Sequence, residues 1–96
     1  MINCIVTIPI IEGYSDKPTG KTDAVIARVT FDAVPRIGDY IHVGTDVHVK
    51  DVIWQAHLEP RIYCERTFTL DLPIEQIVKE ITTALTQAPP PPVPEA

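Results

Sequence analysis

Three histidines, two cysteines and a single serine are the side chains best suited to chemistry in this chain of 96 residues. His42 and His48 fall in Tyr40-Ile41-His42-Val43-Gly44-Thr45-Asp46-Val47-His48-Val49, where apolar and polar residues alternate as in a half-buried hairpin. If Ile41, Val43, Val47 and Val49 all point inward, a three-residue loop places His42 opposite His48 and Tyr40 opposite Lys50. Two imidazoles side by side, with Asp46 or His57 nearby, would begin a site for Zn²⁺ or another borderline metal. Two ligands do not make one, so His42 and His48 stand only as metal candidates, and no cofactor is expected.

The nucleophiles read poorly. Ser15 lies in a polar stretch without a nucleophile-elbow context. Cys4 and Cys64 form no CxxC pair and sit on apolar strand faces, where desolvation disfavours the thiolate; they read as two buried, reduced thiols. Gly20-Lys21-Thr22 ends like a phosphate-binding loop, but Ser15 stands where the first glycine is needed and the following residues read as strand rather than helix. The chain is therefore expected to be no enzyme. Arg66 interrupts an apolar strand face, where it either pairs with an acid such as Asp32 or Asp71 or fixes an anionic ligand by its planar fork. Trp54 is expected to point inward, as core or as an interaction anchor at a barrel mouth.

These residues must be held by a small scaffold. Apolar residues make up 45% and charged residues 22%, close to the globular balance, so the chain as a whole is expected to be ordered. The net charge of −5 opposes the basic footprint of a nucleic-acid binder, and no nucleic acid is expected as partner. Met1-Ile2-Asn3-Cys4-Ile5 has no basic leader region, and no apolar run approaches the roughly 18 residues of a membrane span, so no membrane partner and a cytoplasmic location are expected.

Strand periodicity recurs along the chain. Ile2 to Ile8 alternates, with Ile2, Cys4, Val6 and Ile8 on one face, and Ala24 to Ala33 alternates again with Val25, Ala27, Val29 and Phe31 inward. Residues 9 to 23 carry two prolines and two glycines with no period and read as a long surface loop. The inward phase slips between Val49 and Val52, Trp54, Ala56 and Leu58, which calls for a β-bulge at Lys50-Asp51. Ile62 to Leu70 reads as a last strand with Ile62, Cys64, Phe68 and Leu70 on its apolar face. Ile74, Ile77, Val78, Ile81 and Leu85 then recur at helical spacing after Pro73, predicting an α-helix over about 73–86. Residues 88–96 read as a disordered Pro-rich tail beyond a single domain of residues 1–87.

The run Val34-Pro35-Arg36-Ile37-Gly38-Asp39-Tyr40-Ile41, followed by Val47-x-Val49-x-x-Val52-Ile53-Trp54, resembles the strand-turn-strand segment of small SH3-like barrels of bacteria and their phages. The resemblance covers about a fifth of the chain and implies a fold but no function. The fold expected is mainly β: a small, strongly bent five-strand SH3-like barrel with a C-terminal α-helix. The function expected is that of a non-catalytic protein-binding or assembly module, a bacterial or phage accessory protein. Its barrel would present an edge strand or the Tyr40/His42/His48 face to a protein partner or to itself as a homo-oligomer. Two alternatives remain: a protein binding a small anionic ligand through Arg66 with the 9–23 loop as lid, and a metal-dependent enzyme acting through the histidines.

Overall fold

The computed structural model describes residues 1–43 and 45–87; the tail expected at 88–96 lies outside the described residues. Six strands and one helix follow in the order β1 (Ile2–Tyr14), β2 (Lys17–Phe31), β3 (Tyr40–His42), β4 (Asp46–Ile53), β5 (Arg61–Cys64), β6 (Thr67–Phe68) and α1 (Ile74–Gln87). The mainly β class with a C-terminal helix holds. The sheet runs β2-β1-β5-β4-β3, with β6 added to β1 beyond the end of β5. β1 pairs antiparallel with β2 and parallel with β5 and β6.

The expected five-strand barrel is instead an open sheet: six strands are present, and the end strands β2 and β3 are not paired with each other. The apolar face finds its cover elsewhere. Ile74, Ile81 and Leu85 of α1 pack into one cluster with Cys4, Val6, Ile8 and Ile10 of β1 and Val25, Ala27, Val29 and Phe31 of β2. A helix lying on the sheet removes that face from water without requiring the ends to meet. Ile41, Val47, Val49, Ile62 and Cys64 complete the core from the other strands. Among the described residues no helix is long and apolar enough to cross a membrane.

The long loop expected at 9–23 is instead a two-stranded arm. β1 continues to Tyr14 and β2 begins at Lys17, with Tyr14 opposite Lys17 and Ser15-Asp16 as the turn. Gly13 makes the arm possible. Its φ is +100°, and a Cβ there would lie 2.6 Å from the Lys17 carbonyl oxygen, at a shift in the β1–β2 register. The arm also anchors the helix. The first helical N–H, at Ile74, donates to Glu12 Oε2 at 3.0 Å, and Thr19 Oγ1 donates to Glu12 Oε1 at 2.7 Å. A side chain from β1 thus takes the role usually given to a local N-cap residue. These two bonds, the Ile74 amide first, hold the Glu12 carboxyl below its ordinary range.

Candidate functional site

The hairpin of β3 and β4 keeps the expected faces but not the expected register. Ile41, Val43, Val47 and Val49 are all buried, yet Tyr40 pairs with His48, Ile41 with Val47 and His42 with Asp46. His42 and His48 therefore share a face without standing opposite each other. Alternation fixes which face a side chain occupies, and a slide of two residues preserves that face, so the apolar pattern left this register open. His42 Nδ1 lies 2.6 Å from Asp46 Oδ1, and the rings of Tyr40 and His48 are tilted at 56° with centroids 4.1 Å apart. The neighbour of His42 is thus a carboxylate rather than a second imidazole. Among the described residues no three His, Cys, Asp or Glu side chains are grouped to hold a metal ion.

Trp54 is not inward. It is 68% exposed, just past the end of β4, and Leu58 is 64% exposed in the turn closed by the Leu58 N–H to Gln55 carbonyl bond. Ala56 is exposed as well, so the inward run expected from Val52 to Leu58 stops at half-buried Val52. Trp54 and His48 belong to opposite ends of β4, about 20 Å apart at the usual rise per strand residue. The five candidate residues do not form one site.

The bulge at Lys50 is present. Val49 lies opposite Cys64 but Asp51 lies opposite Tyr63, so β4 holds one extra residue there. A second bulge escaped the sequence reading. Ile5, Val6 and Thr7 pair with Arg61, Ile62 and Tyr63, whereas Ile10 and Ile11 pair with Thr67 and Phe68, so one residue is inserted near Glu65-Arg66. Its cause sits on the neighbouring strand. Ile5 N–H donates to the Pro60 carbonyl and the Ile11 carbonyl accepts from Thr69 N–H, so odd residues of β1 turn their backbone groups toward β5 and β6. Pro9 is odd and has no N–H to give, and the ladder breaks beside it. After the insertion Thr69 is buried and its Oγ1 accepts the Gly13 N–H at 3.0 Å, while Leu70, expected inward, is exposed.

Arg66 is thus exposed at a sheet defect. Pro9, Lys50, Cys64, Glu65, Arg66 and Phe68 line an open depression of about 410 Å³ there. The 9–23 segment cannot serve as its lid, since it is paired arm and contributes only Pro9 to the lining. Both cysteines are free and buried. Burial pushes the Cys64 thiol up to about 12, and burial, reinforced by the Glu59 charge, also raises Cys4.

The two ends of the sheet are unequal. Even residues of β1 face β2, so Val25, Ala27 and Val29, opposite Ile8, Val6 and Cys4, return those bonds. Ala24, Ile26, Arg28 and Thr30 turn their backbone N–H and C=O groups outward, to an edge that no other described strand pairs. At the other end Gly38 N–H donates to the Val49 carbonyl and Val49 N–H to the Asp39 carbonyl, so Val47 and Ile41 face each other and only Tyr40 and His42 face outward. This long β2 edge was hidden in the sequence because which strand lies at the end of a sheet is decided by pairing, which alternation does not report. Comparison with protein-family models, curated proteins and solved structures found no match to this chain.

Proposed function

We propose that the protein is a non-catalytic assembly module that takes up a further strand along the free edge of β2. The observation that carries this reading is the row of outward backbone groups at Ala24, Ile26, Arg28 and Thr30, in a stretch with no proline and with Ile26 67% exposed beside it. An edge of that length is a template for another chain unless it is covered, twisted away or charged. Arg28 is its one charged side chain between Ala24 and Phe31, and Glu59 already engages that guanidinium at 2.8 Å.

A second copy of the chain fits this edge. Antiparallel pairing centred on Ala27 sets Ala24 against Thr30 and Ile26 against Arg28 of the other copy, so outward groups meet outward groups and the arginines avoid each other. Ala27, the smallest core side chain of the strand, then faces its own copy at the symmetry axis. The Tyr40/His42/His48 face, with two outward residues, supports the same function less well.

Light scattering across a micromolar concentration series tests this. Twice the chain mass at high concentration is expected, with Ile26→Pro monomeric throughout. Proline there removes only an outward N–H and leaves the β1–β2 ladder its bonds. A chain that stays monomeric at high micromolar concentration and captures no strand partner would overturn the reading.

A further inference from the structure

Two chain insertions, at Lys50 and near Glu65-Arg66, and one missing donor, at Pro9, meet at the same place and open the depression of about 410 Å³. From this convergence we infer that the depression is a binding site for a small organic carboxylate with an apolar body. It lies across β1 from the β2 edge and does not depend on assembly.

The volume is in the lower part of the roughly 300–1,000 Å³ range of small-molecule sites, enough for a compact ligand. Its charge is unusual for this molecule. The chain carries eight Lys and Arg against thirteen Asp and Glu, yet two cations share this lining, and among the described residues neither Lys50 nor Arg66 is in an ion pair. Two like charges around one concavity repel, and an anion between them relieves that repulsion. The Arg66 guanidinium supplies a planar fork that matches a carboxylate, and the Lys50 ammonium adds a point charge. Glu65 leaves the lining with a net single positive charge, which suits a monoanion and opposes a dianion.

Pro9 and Phe68 supply the apolar walls. Cys64 forms part of the lining but is only 3% exposed, so it shapes the cavity and makes no bond to the ligand. The site is therefore assigned binding and no reaction. The backbone insertions give it its shape: an unbroken ladder at Lys50 and Arg66 would alternate their side chains to opposite faces or pair them with neighbours, and no cavity would remain between them.

Amide chemical-shift titration of the full chain with benzoate is the test, with benzyl alcohol as the neutral counterpart and inorganic phosphate as the charge-only counterpart. Saturable shifts at Lys50, Glu65, Arg66 and Phe68 are expected with benzoate alone. Lys50→Gln and Arg66→Gln should each weaken binding by about tenfold or more. Arg66→Lys, which keeps the charge and loses the fork, should weaken it less, and Lys17→Gln at the arm tip should leave it unchanged. Melting curves confirm that each variant folds, as expected for exposed side chains. Failure to saturate at tens of millimolar, an equal response to either counterpart, or unaltered affinity in both Gln variants would overturn the inference.

Discussion

One sheet ends in two ways. At β3 it stops after three residues, and the chain before them is drawn in by Pro35, which is fully buried, and by the two bonds that tie Gly38 and Asp39 to Val49. Only Tyr40 and His42 offer backbone groups to a newcomer. At β2 the sheet ends in fifteen residues, and from Ala24 to Thr30 every second residue offers its amide and carbonyl outward. Shortness protects an edge as effectively as charge does, and over its core-anchored half β2 is long and carries only Arg28, already held by Glu59. The contrast separates strands that finish a fold from strands that leave it open to addition.

Substitutions at the anchors of the two edges break the comparison most severely. Phe31 holds β2 and Ile41 holds β3, and both are buried against the shared core. Phe31→Ala is expected to cost about 3–5 kcal/mol and Ile41→Ala about 2–5 kcal/mol, read from urea unfolding. Gly13→Ala comes next. It forces a side chain into a positive-φ conformation against the Lys17 carbonyl, and a loss of about 2 kcal/mol is expected, with the arm rather than the β3–β4 hairpin losing amide-exchange protection.

Two edge substitutions sharpen the comparison without unfolding the chain. Ile26→Pro should abolish self-association while His42→Pro should leave it intact, although each removes one outward N–H from an end of the same sheet. If light scattering shows the reverse, β3 is the working edge. The smallest effect concerns acid. Because Glu12 titrates below its ordinary value of 4.5 in the folded chain, its contribution is present above that value and is lost as pH falls through the folded pKa. Glu12→Gln should remove that contribution at neutral pH, and thermal melts of the variant should fall less steeply than those of the parent below about pH 4.5.

Much of this fold is written locally. The even positions of β1, the odd positions of β2, the Lys50 bulge and the α1 stripe all follow from spacing, since each is a periodic contrast between one wet and one dry face. Residues 17–24 carry no such contrast because both faces of the arm tip are exposed, and there prolines and glycines look like loop punctuation. The second bulge was masked for another reason. Ile62, Cys64, Phe68 and Leu70 keep one phase on either side of Arg66, so the spacing gives no sign of an inserted residue, and the defect comes from Pro9, which only the parallel pairing brings alongside. Of the candidate site, Arg66 was legible as an anomaly. Lys50 and Phe68, its companions, were not, because their nearness depends on two insertions falling at one point of the sheet.

Among the described strands β1 precedes all its partners in the chain and has the most neighbours. On one side it meets β2 through a two-residue turn, but on the other it waits for Arg61 to Phe68. During synthesis the β1–β2 hairpin therefore leaves the ribosome with both of its flanks unpaired, and the Val6 to Ile10 face has no helix to cover it until Ile74 to Leu85 have emerged. Closure by a partner so distant in sequence is entropically slow. The nascent hairpin is the stage at which this chain is most exposed to pairing with the wrong strand, and a delay in translation between β2 and β5 would lengthen it.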